Sequence, residues 1–133
     1  METKIRIGIG IGPWPFKNTD PETFLEFVDY CEQLDIDSLW LSDRIIAPNI
    51  TLDPLTFMSY MASRMKNMKF GTSAIVLPTR NPVILAKELA TLDFLSKGRL
   101  LLVVGLGSNE SKDFGAVGVD VSERAKRTDE SIS

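Results

Sequence analysis

Three times in this chain an aspartate or asparagine stands directly before a proline at the head of a stretch with helical periodicity: Asp20-Pro21, Asp53-Pro54 and Asn81-Pro82. The side-chain oxygen of the first residue can accept a backbone N–H of the first helical turn. Proline has no N–H to leave orphaned at the first helical position. Each pair therefore predicts a helix start. Behind them, apolar residues recur on one side: Phe24, Phe27, Val28 and Cys31; then Leu55, Met58, Met61, Ala62 and Met65; then Leu85, Ala86, Leu89, Ala90 and Leu92. Cys31 and the methionines are expected in a core, the methionines as fillers of irregular gaps. Gly98 is expected to stop the third helix.

Apolar runs of strand length separate these helices: "KIRIGIGIG", "SLWLSD", "KFGTSAIVL" and "RLLLVVGLG". In the first, Ile5, Ile7, Ile9 and Ile11 share one face, and Arg6, Gly8 and Gly10 share the other. The fourth is apolar throughout, which predicts cover on both faces. The order β-α-β-α-β-α-β predicts an α/β fold with a parallel sheet and right-handed crossovers. An open doubly wound sheet and a (β/α)8 barrel share that order. A barrel suits the first strand, with isoleucines toward helices and the glycines and Arg6 toward a crowded interior. Beyond Gly107 the chain becomes polar and glycine-rich, with a short helix expected from about Ser122 and no fifth strand. A chain of 133 residues is expected to form a single domain, 1–133.

Composition excludes several functions. A net charge of −3 without a basic run argues against nucleic-acid partners. No apolar run reaches the roughly 18 residues of a membrane span, and "METKIRIGIG" has no signal-peptide pattern. One cysteine permits no internal disulfide, so a reducing cytoplasm is expected. With no histidine and one cysteine, neither a histidine triad nor the usual zinc ligand sets can form, and no metal site is expected.

Two glycine-rich stretches invite a dinucleotide-binding reading, which fails on mechanism. Gly8, Gly10 and Gly12 have the wrong spacing, and two prolines intervene before any helix. In "GLGSNE" a carboxylate, Glu110, occupies the place of the third glycine and would repel a phosphate. In either parallel fold, ligands bind at the carboxyl ends of the strands. Those ends carry Trp14, Asp43-Arg44, Arg80 and Ser108-Asn109, with Asp43 and Asn109 the leading candidates.

The stretch "GTSAIVLPTRNPVILAKELATLDFLSKGRLLLVVGLGSNESKDFGAVGVDVSERAKRTDE", together with "SLWLSD", resembles the luciferase-like oxidoreductase superfamily. That superfamily holds bacterial luciferase, flavin-dependent monooxygenases and coenzyme F420-dependent dehydrogenases and reductases. The resemblance runs from about Ile5 to Glu130. It implies the N-terminal half of a (β/α)8 TIM barrel, with four parallel strands and three to four helices. It also implies hydride transfer or monooxygenation of a small-molecule substrate with FMN or coenzyme F420. In the family the third strand bulges at a non-proline cis peptide beneath the cofactor's central ring. Residue-by-residue matching puts that bond at Ser73-Ala74, where two small residues let a ring approach the backbone. Asp43 matches the family's acid after the second strand, with Arg44 beside it as the second catalytic candidate. Gly107, Ser108 and Asn109 match the loop near the cofactor's tail. The sequence departs from the pattern at Arg44 and Asn81, where many F420-dependent members carry histidine. Arginine stays charged near neutral pH, so a histidine-like acid role is not transferable, and attraction of an anionic group is implied instead.

A whole barrel takes roughly 250 residues. The chain is therefore expected to be a fragment of a longer enzyme or a natural half-length relative. A half-barrel has open edges at its first and fourth strands, which predicts a homodimer or higher homo-oligomer. The alternative to an enzyme is a non-catalytic half-barrel that serves assembly or cofactor binding.

Overall fold

The computed structural model describes residues 5–133; residues 1–4, with the opening of the first expected strand and the start of the leader reading, lie outside it. The expected helices start where the Asp-Pro and Asn-Pro pairs put them: α1 is Pro21–Gln33, α2 Pro54–Arg64 and α3 Pro82–Ser96. Asp20 accepts from the Glu22 N–H at 3.0 Å, and Asp53 from the Thr56 N–H at 2.8 Å. Asn81 accepts from the N–H groups of both Val83 and Ile84. Helix α3 ends where Lys97 and Gly98 both turn to positive φ, with the Gly98 N–H returning to the Asp93 carbonyl.

The first two strands are β1 (Gly8–Ile11) and β2 (Ser38–Leu41). The third and fourth each arrive in two pieces. The third is β3 (Lys69–Thr72) and β4 (Ile75–Val76); the fourth is β5 (Leu100–Leu101) and β6 (Val104–Gly105). All pairings are parallel, with β1-β2-β3-β5 in one sheet and β4-β6 continuing it as a second ladder. Strand order follows chain order without reversal. A doubly wound sheet reverses at its switch point, whereas a barrel does not, so this is a portion of a (β/α)8 barrel. Right-handed crossovers in that order keep the helices on one side of the sheet.

The break in the ladder is a bulge. Gly71 pairs with Leu101 and Ile75 with Val104, so the third strand carries one more residue than the fourth between the two pairings. Thr72, fully buried, bridges the gap: its hydroxyl donates to the Val103 carbonyl at 2.9 Å. The Ser73-Ala74 peptide inside the bulge is cis, at the bond the resemblance indicated. Just before it the strands approach so closely that a Cβ on Gly71 would run into the Leu101 carbonyl oxygen.

The core lies between helices and sheet, with Val28, Leu39, Met58, Met61, Phe70 and Ile75 sealed from solvent and Cys31 buried among them. Arg99 braces its edge, donating to the carbonyls of Ala62, Met68 and Ser96 with its guanidinium 5.4 Å from the Phe70 ring centre. Glu32, on α1, accepts the N–H groups of Lys66, Asn67 and Met68 and so holds the turn into β3.

Several expectations about faces need correction. The fourth strand is not covered on both faces: Leu102, Val103, Val104 and Leu106 are exposed, and among the described residues the strand is also an edge, with a sheet neighbour on one side only. Ile5 and Ile7 are exposed, since pairing with β2 begins at Gly8; only Ile9 and Ile11 reach the core. Arg6 is largely exposed and lies 3.9 Å from Asp37. On α3 the buried line is Leu85, Leu92 and Ser96, with Leu89 half-buried; Ala86 and Ala90 face outward. That helix is apolar on nearly every side, with Val83, Ile84, Phe94 and Leu95 exposed, so its periodicity could not single out the buried face.

After β6 come a one-turn helix not expected from the sequence, α4 (Asp113–Ala116), and a C-terminal helix, α5 (Arg124–Ile132), entered through a 3-10 turn at Val121–Glu123. That agrees with a helix beginning near Ser122. Helix α5 packs against the turn Leu77–Thr79 that follows β4, with Thr128 buried.

Candidate functional site

At the carboxyl ends of the strands an open cleft of about 250 Å³ gathers residues from three loops. The end of the second strand supplies Ser42, Asp43 and Arg44; the bulge of the third supplies Ser73, Ala74 and Val76. The fourth supplies Gly105, Gly107 and Ser108, and the approach to α4 supplies Ser111 and Asp113. Of the residues singled out in the sequence, Asp43, Arg44, Ser73, Ala74, Gly107 and Ser108 meet here. Asn109 is exposed and outside the lining. Trp14 lies elsewhere: its ring stacks on Phe24 at 5.5 Å and meets Phe16 edge-on, in an aromatic cluster over α1.

Asp43 is buried, and its carboxylate is fully engaged. Its Oδ2 accepts the Val76 N–H at 2.9 Å, and Arg80 grips both oxygens, Nη2 to Oδ1 at 2.8 Å and Nε to Oδ2 at 3.2 Å. Arg80 also reaches Asp53 at 3.4 Å, tying the mouth of the third strand to the cap of α2. Burial alone would pull the Arg80 pKa down; the carboxylates of Asp43 and Asp53 more than offset it, and the guanidinium is held above its ordinary value. Asp53 moves the other way: burial raises it, but the Thr56 N–H and Arg80 lower it more.

The opposite wall is set by Asp113, which sequence reasoning passed over. It is buried, and its Oδ1 accepts the Ile46 N–H at 2.7 Å, clamping the loop after β2 to α4. The only signal was an acid beside an aromatic, Asp113-Phe114, in the resembling stretch; its partner lies 67 positions away in the chain. Gly107, with φ of +73°, closes the floor. A Cβ there would sit 2.8 Å from Val76 and 3.0 Å from Phe114, so no larger residue fits.

The cleft thus has a floor of small residues, walls pinned by two buried carboxylates, and a polar rim. Among the described residues no group of acids, cysteines or histidines is arranged to hold a metal ion, and no helix is long and apolar enough to cross a membrane.

Comparison with known proteins gives a consistent result. The luciferase-like monooxygenase family matches over residues 1–133. The chain is 33% identical over 123 residues to the F420-dependent glucose-6-phosphate dehydrogenase of Amycolatopsis mediterranei, covering 84% of this chain and 36% of that one. It is 32% identical over 109 residues to the 4-hydroxyprotoasukamycin monooxygenase of Streptomyces nodosus subsp. asukaensis, covering 81% and 29%. Its fold superposes, with a TM-score of 0.80 and 21% identity, on the oxygenating constituent of 3,6-diketocamphane monooxygenase from Pseudomonas putida, solved in complex with FMN, over 97% of this chain and 38% of that one. The chain spans about a third of the length of the curated relatives it matches.

Proposed function

The chain belongs to the luciferase-like monooxygenase family, and on that premise we propose that it forms the ring-holding part of an oxidoreductase. The cofactor in this reading is FMN or coenzyme F420, and the reaction is hydride transfer to or from a small-molecule substrate, or its monooxygenation. The observation that carries it is the convergence of three strand ends, at Asp43-Arg44, Ser73-Ala74 and Gly107-Ser108, on one cleft. Both cofactors have support among the similar proteins: two relatives are named as F420-dependent dehydrogenases, and the 3,6-diketocamphane monooxygenase structure holds FMN.

The residues fit a flat ring. The bulge offers backbone with side chains no larger than Ser73 and Ala74, and Gly107 adds lining without a side chain of its own. Ser73 and Ala74 would lie beneath the ring, and Gly107, Ser108 and Asn109 would lie toward the cofactor's tail. A bound flavin or deazaflavin supplies the electron pair; the protein supplies position and electrostatics. Asp43, gripped by Arg80 and Val76, is suited to fixing the wall against which a substrate is oriented. Arg44, exposed at the rim, presents a permanent positive charge to whatever enters.

Two further parts of the reading concern the assembly and its compartment. The exposed apolar residues of the fourth strand support association of copies into a homodimer or larger oligomer. The single, buried cysteine is in keeping with a reducing cytoplasm.

The test is a fluorescence titration with FMN and, separately, with F420, followed by a chemical or enzymatic hydride donor. Saturable quenching that Ala74→Leu abolishes is expected, with reoxidation or substrate turnover after reduction. Binding without turnover would favour a non-catalytic, cofactor-holding half-barrel, and no binding of either cofactor would overturn the reading.

A further inference from the structure

We propose that the rim of this cleft is an anion subsite, centred on Arg44, that selects ligands carrying a carboxylate or phosphate. The inference deepens the proposed ring-binding function and rests on it for the location of the ligand. It starts from an accounting of charge. Two carboxylates line the cleft, and both are spent internally. Asp43 is neutralised by Arg80 and occupied by the Val76 N–H. Asp113 is buried and occupied by the Ile46 N–H. Arg44 is different. It lines the same cleft, is exposed, and forms no ion pair among the described residues. The charge exposed at the rim of the cleft is therefore the Arg44 guanidinium, while the two lining carboxylates are buried and already hydrogen-bonded.

The neighbouring hydroxyls point to the same chemistry. Ser108 Oγ accepts the Glu110 N–H at 3.3 Å, and Ser111 Oγ accepts the Asp113 N–H at 3.2 Å. A hydroxyl whose lone pair is taken by a backbone N–H has its own proton left to donate. Neither proton is used within the described residues, and both serines line the cleft with Arg44. A guanidinium and two donating hydroxyls form a rim of donors, which an acceptor-only group such as a carboxylate or phosphate satisfies. The neutral amide of an otherwise identical ligand would leave the charge of Arg44 unmet.

The anion has two sources, the substrate or the tail of the cofactor, and the experiment separates them. Isotope-labelled protein is titrated with benzoate and with benzamide, following the amide signals of Ser73, Ser108 and Ser111. In parallel, FMN is compared with riboflavin, and F420 with its tail-less deazaflavin, by fluorescence quenching. Each series is run on the native chain, on Arg44→Gln and on Arg44→Lys, with circular dichroism to verify folding. A loss of about tenfold in benzoate affinity in Arg44→Gln, partly restored in Arg44→Lys, with benzamide unmoved, is expected if the substrate carries the anion. The same loss for FMN or F420, but not for the tail-less compounds, assigns the subsite to the cofactor. If cofactor binds and none of these affinities depends on Arg44, the subsite is overturned while the ring-binding reading stands. If benzoate binding depends on Arg44 but no flavin or deazaflavin binds, the subsite stands and the ring-binding reading falls.

Discussion

Replacing Arg80 by methionine removes the partner of a buried carboxylate and leaves Asp43 with a single N–H donor, that of Val76. The side chains of Asp43 and Arg80 are 3% and 19% exposed, so little water is available to take over. Breaking a buried pair from one side costs roughly 3–5 kcal/mol. The surviving N–H and the partial exposure of Arg80 put Arg80→Met at the low end, about 3 kcal/mol. The reverse substitution is milder. In Asp43→Asn the amide oxygen still accepts from Val76, and Arg80 keeps Asp53 at 3.4 Å, which points to a cost of about 1–2 kcal/mol. The double variant buries no unpaired charge, so it should cost less than the sum of the two, with a coupling of about 2 kcal/mol. Urea unfolding followed by circular dichroism measures all three, and the larger single change should shift the midpoint by at least about 1 M. Equal costs for the two single variants would refute the asymmetry argued from Asp53. Additive costs would refute the claim that the two side chains act as a pair.

Three other outcomes are open to measurement. Gly71→Ala drives a methyl into the Leu101 carbonyl and should destabilise by about 2 kcal/mol or more, read as a lowered melting temperature; an unchanged melt would mean that β3 and β5 are not in this register. Burial pushes the Glu32 carboxyl up, but the N–H groups of Asn67, Lys66 and Met68 outweigh it and hold its pKa below the ordinary 4.5. Its contribution is therefore complete above that value and fades as pH falls through the depressed one, so the stability gap between the native chain and Glu32→Gln should close in acid; a gap constant from pH 7 to pH 3 would contradict this. Light scattering at tens of micromolar should report a dimer or larger species, and Val104→Glu, on the exposed fourth strand, should shift it toward monomer; a native chain that is already monomeric would end that reading.

The local part of the structure was legible because it depends on neighbours within a few residues. Capping by Asp20, Asp53 and Asn81 uses the next two or three N–H groups, and all three helices begin there. The parallel βα order followed directly, and family resemblance placed the bulge at Ser73-Ala74, where the ladder does break. Legibility failed where one sequence pattern permits several environments. An evenly apolar fourth strand is as compatible with exposure as with cover, and α3 has more apolar positions than one face can bury.

By itself the sequence determined the element order, the helix starts, the lack of histidine in these 133 residues and the set of polar residues at the strand ends, because composition and short-range hydrogen bonding are written residue by residue. Only the tertiary structure decided what those residues do to one another. It spent Asp43 on Arg80 and Asp113 on Ile46, turned Trp14 into an aromatic cluster, and left Arg44 at the rim without an ion-pair partner among the described residues. Partners 37 and 67 positions apart meet only after strand register and loop closure are set, and no local pattern encodes that distance.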